Sequence, residues 1–370
     1  MDDTLRYLIG ITLVKGIGNV LAKHLIAYVG SAEGVFKESK RNLSLIPGIS
    51  QTRVNEILNP EVLRRADQEI QFISKNNITT YSLNDKNYSY RLKECTDAPI
   101  VQYGKGTFNL NEGKFIGIVG TRKPTEEGKE YCQQLIKDLA LHNPNITIVS
   151  GLAYGIDITA HKAAIEAGLP TIAIPAHGLD RLYPEVHRPT AVRMIKNGGI
   201  LTEFVSETSP ERPNFVTRNR IIAGLCDATV VVESRHGGGS LITAKYANSY
   251  NRDVFAYPGR PTDKTFEGCN ELIKRNEAAL IENAQDVITF MGWENLNKNK
   301  QTPELDLFTE LSEIEQDIIH ILRTQPEGIH TDDLIQLTQK PFHQISAMLL
   351  EMEFKGLVKP IPGGAYRVVK

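Results

Sequence analysis

A chain of 370 residues is too long for one ordinary core and points to two or three domains. Hydrophobic residues at 41% against 23% charged, with no long apolar run, exclude a disordered chain and a helical membrane protein. The formal net charge of −2 excludes a global attraction to nucleic acid, so contact with a polyanion must come from a local basic patch.

In chain order, Asp2 and Asp3 stand where a secretory signal carries basic residues, which leads us to expect a cytoplasmic protein with no membrane contact. Residues 1–65 read as a helical domain with a weak internal repeat. The run Leu-Val-Lys-Gly-Ile-Gly at 13–18 recurs as Leu-Ile-Pro-Gly-Ile-Ser at 45–50, and Ala22, Leu25 and Ile26 then fall opposite Val54, Ile57 and Leu58. Each copy predicts a helix-hairpin-helix, with a tight turn at Gly16 or Gly48 and a following helix whose N–H groups could meet a phosphate. A small bundle whose glycines only turn the chain fits as well, since Ser50 replaces the second glycine of copy two.

Residues 66–295 predict a central α/β domain. A helical stretch at 66–76 leads into a polar, Tyr-rich connection that we attach to it. From residue 114, short apolar strands at 115–119, 146–149, 171–174, 200–202, 229–232 and 254–256 alternate with helices such as 126–141 and 240–248. Such runs fit a doubly wound, Rossmann-like, mostly parallel sheet covered on both faces. Residues 296–308 read as a polar linker. Residues 309–370 then predict a winged helix, with helices at 312–323, after Thr331 as a cap, and at 341–355, and a hairpin turning at Gly363-Gly364. Glu351 and Glu353 on its third helix, with only Lys355 nearby, favour a protein contact or a structural role over base reading.

Ligands of a doubly wound sheet bind beyond the carboxyl ends of its strands, where four turns stand out. The first offers Gly120, Thr121, Arg122 and Lys123, a hydroxyl and two cations for phosphate. The second, with Ser150, Gly151 and Gly155, predicts an N–H cradle for an anion, or tight strand–helix packing. In the third, Thr217 as a cap would place Arg218 and Arg220 in a first helical turn, where the dipole disfavours cations unless a polyanion is bound. Asn219 lies between them, and Phe215 just before is suited either to the core or to stacking on a base, worth about 1–3 kcal/mol. The fourth is Gly-rich and ends at Gly239 and Ser240.

No nucleotide-binding glycine motif and no nucleophile elbow around Ser150 or Ser240 is present. His161, His177 and His187 read as structural, and Cys95, Cys132, Cys226 and Cys269 as reduced and structural, so no catalytic group, metal or cofactor is expected.

The runs at 118–122, 150–157 with Ala160-His161, and 215–225, followed by Pro258-Gly259 and Gly268-Cys269-Asn270, resemble the bacterial DNA-processing protein A (DprA/Smf) family. The resemblance implies a sterile-alpha-motif-like domain before the core and a winged helix after it. It further implies a non-enzymatic, homodimeric protein of natural transformation. Such a protein binds and protects incoming single-stranded DNA, helps load the RecA recombinase, and dimerises through the central domain. The family's basic pocket carries over onto Arg122, Phe215, Arg218, Asn219 and Arg220; Thr121 stands where the family often has Ser, and Gly238-Gly239-Ser240 replaces a common Ser-Gly-Ser. A phosphoribohydrolase-like nucleotide-processing enzyme on a similar sheet is the second reading, weakened by the lack of a general base near the fourth turn. A scaffold whose terminal domains do the work is the third.

Overall fold

The two glycine turns of the N-terminal repeat set its geometry. Helices α1 (Asp3–Leu13) and α2 (Asn19–Val29) flank the first turn. After α3 (Ala32–Lys37), helices α4 (Lys40–Ser44) and α5 (Gln51–Ile57) flank the second. Gly16 and Gly48 both take positive φ, at 79° and 83°, which a side chain would resist. The repeat register holds in the packing: Val14, Ile17, Ala22 and Leu25 share one core with Ile46, Ile49, Val54 and Ile57. Arg53 ties the copies together, its Nε donating to the Gly16 carbonyl at 2.9 Å and its Nη1 to that of Gly48 at 2.6 Å.

The computed structural model describes residues 3–294, 312–325, 328–355, 357–361 and 364–368. The expected linker at 296–308 and Gly363 of the expected hairpin turn lie outside the described residues. The chain divides into two compact units, 1–294 and 295–370. The expected boundary at 65/66 falls inside helix α6 (Pro60–Lys75), capped by Asn59, which presents Val62, Ala66 and Ile73 to the N-terminal core. That core continues into Ile100, Val101 and Tyr103, so the helical repeat and the sheet are not separated there.

The sheet has nine strands: β1 (Thr79–Ser82), β2 (Val101–Thr107), β3 (Lys114–Val119), β4 (Ile146–Ser150), β5 (Thr171–Ala173), β6 (Gly198–Thr202), β7 (Ala228–Val231), β8 (Asp253–Ala256) and β9 (Ala279–Leu280). Their order is β1-β2-β6-β5-β4-β3-β7-β8-β9. All six expected strands are present and mutually parallel, and β9 extends them in parallel. The polar, Tyr-rich connection turns out to hold an antiparallel edge, β1 on β2 and β2 on β6. Helix α7 (Tyr90–Lys93) is held to the start of β3 and β7 by Arg91, 1% exposed, which grips Asp227 at 2.7 and 2.9 Å and the Gly113 carbonyl.

Helices α8 (Glu126–His142), α9 (Ile156–Glu166), α10 (Arg188–Met194), α11 (Arg212–Leu225), α12 (Gly239–Ser249), α13 (Glu267–Lys274) and α14 (Ala284–Phe290) complete the first unit. Chain progression reverses between β3 and β7, which neighbour each other at the centre of the sheet; such a switch point opens a crevice for ligands.

The second unit is a winged helix. Its helices α15 (Glu313–Thr324), α16 (Thr331–Thr338) and α17 (Phe342–Phe354) pack on a three-stranded antiparallel sheet of β10 (Ile329–His330), β11 (Val358–Ile361) and β12 (Ala365–Val368). A capping box between Ser312 and Glu315 starts α15, while His330, not Thr331, caps α16. At the end of α17, Lys355 is bound at 2.8 Å to both Glu315 and Glu351, so the cation beside the acidic face is already neutralised.

Candidate nucleic-acid interface

A cleft of about 780 Å³ opens beyond the carboxyl ends of β3 and β7. Its lining comes from the turn after β3 (Gly120, Thr121, Arg122), the N-terminal half of α11 (Arg212, Phe215, Arg218, Asn219), the Gly-rich turn leading into α12, with Gly239 and Ser240, and Ala153 and Asp157 from the turn after β4 and the start of α9.

Helix α11 starts five residues before the predicted cap. Glu211 is its N-cap and Pro213 lies in its first turn, where a missing N–H does no harm; Thr217 sits mid-helix. Arg218 and Arg220 are therefore two residues apart on a formed helix and point about 200° away from one another. Arg218 faces the cleft. Arg220 faces away, bonding the Asp97 carbonyl at 2.7 Å and the Glu203 carboxylate, and lines a separate pocket of about 380 Å³ with Gly16, Asn19 and Arg53. The structure thus removes Arg220 from the expected site and brings in Arg212, one helical turn before Phe215. The 212/215/219 spacing could have shown this once the helix start was placed correctly.

The second turn does not form the expected anion cradle. A Cβ on Gly151 would lie 1.4 Å from Nη1 of Arg218, so the space that glycine leaves is filled by the protein's own guanidinium. Ser150 is fully buried and donates its hydroxyl to the Ile118 carbonyl at 2.6 Å. Gly155 lets the chain press against the first turn, where the Ile156 N–H donates to the Thr121 carbonyl at 3.1 Å. The second turn thus props the first and makes room for Arg218. Lys123 is exposed and stands outside the residues that line the cleft.

Arg218 is only 3% exposed, with Asp157 4.0 Å away as its countercharge, yet its Nε and Nη1 have no hydrogen-bond acceptor. Burial pulls its pKa down to about 10, against the attraction of Asp157, so the group stays cationic near neutral pH. Burial pushes the Asp157 carboxyl up, and Arg218 opposes that shift. At the mouth, Arg122 lies over the Phe215 ring, its Cζ 4.9 Å from the centroid, and Arg218 approaches the same ring at 6.0 Å. Half-buried Phe215 thus stands in a cationic setting at the cleft wall, and Asn219 bridges to the Gly239 carbonyl at 3.3 Å.

The helices that directly follow β3 and β7, α8 and α12, differ at their N-termini. That of α8 is filled: Glu233, 1% exposed, accepts the Thr125 N–H and hydroxyl at 2.9 Å each, and a Cβ on Gly128 would fall 2.0 Å from its carboxylate. The dinucleotide-type phosphate seat after the first strand of the parallel core is therefore occupied by protein. That of α12 begins at Gly239 after Gly238, with no side-chain cap, beside Ser240, whose hydroxyl donates to Ser234 at 2.8 Å. Its first N–H groups are available to an anion.

The three histidines occupy structural places. His161 bonds Thr171, His177 bridges the Gly178 carbonyl and the Tyr183 N–H, and His187 bonds the Leu152 carbonyl. All four cysteines are buried and free. Among the described residues no group of three or more His, Cys, Asp or Glu side chains is placed to hold a metal, and no helix is long and apolar enough to cross a membrane.

Residues 79–292 match the family model of DNA recombination-mediator protein A, and residues 303–364 match that of the DprA winged helix domain. Protein Smf of Synechocystis sp. is 30% identical over 384 residues, covering 96% of each chain. DNA processing protein DprA of Bacillus subtilis is 40% identical over 211 residues, 57% of this chain and 70% of that protein. Among solved structures, DNA processing protein A of Streptococcus pneumoniae superimposes with a TM-score of 0.63 at 30% identity, over 77% of this chain and 97% of that one. The same protein from Helicobacter pylori, studied for its single-stranded DNA binding mode, gives a TM-score of 0.53 at 28% identity, over 58% of this chain and 96% of that one.

Proposed function

As the chain belongs to the DNA recombination-mediator protein A family, we propose that its cleft binds single-stranded DNA without sequence preference and turns nothing over. The observation that carries this reading is Arg218, a buried guanidinium with two unused donors, set behind an Arg122–Phe215 pair at the mouth. Phosphate meets Arg122, Arg212 and the open N-terminus of α12, with the buried charge of Arg218 behind them. Half-buried Phe215 offers a base a stacking contact that any base can use. Thr121, Asn219, Gly239 and Ser240 shape the backbone track.

The cellular role that fits is protection of incoming single strands in natural transformation and their transfer to RecA, carried out in the cytoplasm by a homodimer paired through the central domain. The nucleotide-processing alternative gains nothing from the geometry: the first phosphate seat is filled by Glu233, and Asp157, the carboxylate that lines the cleft, is engaged by Arg218.

Fluorescence anisotropy with labelled oligothymidylate tests the proposal. Binding should weaken steeply with salt, and Arg122→Ala should lower the slope of log affinity against log salt by about 0.7. Unchanged affinity in both Arg122→Ala and Arg218→Ala rejects the site.

A further inference from the structure

Next to the cleft, on the β5 side, the turns at the same sheet edge expose two tyrosines that no packing requirement explains. Tyr183 is 44% exposed and Tyr154 48% exposed. Tyr183 meets Phe215 edge to face, ring centroids 6.0 Å apart, so it continues the aromatic wall outward from the mouth. Tyr154 directly follows Ala153, which lines the cleft, and stands edge to face with His187 at 5.1 Å.

Both rings are held from behind. The buried His177 donates from Nδ1 to the Gly178 carbonyl at 2.8 Å and accepts the Tyr183 N–H on Nε2 at 3.0 Å, which fixes the neutral tautomer and the backbone under Tyr183. Buried His187 is anchored to the Leu152 carbonyl at 2.8 Å, which clamps the turn carrying Tyr154 to the segment after Tyr183. An exposed aromatic ring on a braced backbone loses little entropy on meeting a flat partner. The nearby cations are matched locally, Arg181 with Asp180 at 2.9 Å and Arg188 with Glu185 at 3.6 Å. The patch therefore offers π-faces with little net charge, beside a cleft whose charge attracts phosphate.

We propose that Tyr183 and Tyr154 extend the single-strand track beyond Phe215, each stacking one further base of the strand whose phosphates the cleft holds. The inference rests on the single-strand reading of the cleft and adds a direction of travel, toward β5, together with a contact class that is stacking rather than ionic. The two tyrosines act as binding residues, and His177 positions the first.

The full-length protein is titrated with labelled oligothymidylate as wild type, Tyr183→Ala, Tyr154→Ala, and the Tyr→Phe counterpart of each, with thermal melting as a check on folding. Each alanine variant should bind about ten-fold more weakly, within the range of base–aromatic stacking, while the salt slope stays that of the wild type. The phenylalanine variants should bind as the wild type does, which an effect of misfolding would not reproduce. Irradiation of a 5-iodouracil-substituted strand should crosslink to Tyr183 or Tyr154. If Arg122→Ala weakens binding but both alanine variants bind normally and neither tyrosine crosslinks, the extension is wrong and the cleft reading stands; the patch then belongs to a protein partner. If the wild type fails to bind the strand, both readings fall.

Discussion

Placing a methyl group at residue 151 tests whether the cleft is built around one buried guanidinium. The Cβ introduced by Gly151→Ala would lie 1.4 Å from Nη1 and 2.3 Å from Cζ of Arg218, whereas carbon contacts settle near about 3.5–4 Å. The guanidinium must retreat by about 2 Å, away from Asp157, with which it is now paired at 4.0 Å. Overpacking of a dense site costs about 1–3 kcal/mol. Stretching a pair from about 4 to about 6 Å at an effective dielectric near 20 removes about 1 kcal/mol more. Urea unfolding should then show a loss of about 2–4 kcal/mol, accompanied by weaker strand binding with no change of net charge. In a background carrying Arg218→Ala and Asp157→Asn, the clash and both charges are gone, and the same Gly151→Ala should cost under about 1 kcal/mol. An equal cost in the two backgrounds would refute the idea that Arg218 occupies the space of the missing side chain.

Arg91→Leu should destabilise the first unit by about 3–5 kcal/mol in denaturant titrations, because Asp227 would keep a carboxylate with no guanidinium beside it; a loss below about 1 kcal/mol would show that α7 is not pinned to the start of β3 and β7 there. His161, fully buried, has its pKa pushed down to about 3, first by burial and then by the charge of Arg218. Its folded value lies below the unfolded one of about 6.5, so its contribution is complete above about pH 6.5 and is lost as pH falls toward about 3. Between about pH 6.5 and 4.5 the wild type should lose about 2–3 kcal/mol, and His161→Gln should flatten that slope; parallel pH profiles would contradict it. Glu233→Ala should weaken strand binding although Glu233 does not line the cleft, since its carboxylate accepts the Thr125 N–H and hydroxyl just after the turn bearing Arg122, and Glu233→Gln should restore most of it. Equal binding by the Ala and Gln variants would dissociate Glu233 from the Arg122 turn.

Strands β3 to β8 were legible because both their faces are buried, which writes them as short apolar runs. The hairpin repeat was legible because Gly16 and Gly48 each need a positive φ and the residues after them need one buried face. Strand β2 was not, since Val101–Thr107 carries Gly104 and Gly106 and pairs at the antiparallel side of the sheet. The start of α11 was misread because the hydroxyl of Thr217 outranked Pro213 as a start signal. Arg220 was misplaced by the same error: with the helix begun at Arg212 it falls on the face away from Phe215 and Asn219, where Asp97 and Glu203 from distant segments meet it. Likewise, Gly151 reads as a phosphate turn until Arg218 is seen beside it.

The same physical device, a helix N-terminus behind a tight turn, appears twice at the switch point and is used in opposite ways. At α8, the Glu233 side chain accepts from Thr125 beside the turn bearing Arg122 and fills the place a compact pyrophosphate would take. At α12, the N–H groups stay open, and the cations near them, Arg122, Arg212 and Arg218, are spread along two walls of a cleft rather than gathered at one point. A single nucleotide needs its phosphates and base met from one place, whereas a strand presents phosphates at intervals with bases between them. Arg122 and Arg212 beside Phe215, with Arg218 buried behind them, match the second pattern, in a chain whose net charge of −2 gives no global attraction to nucleic acid.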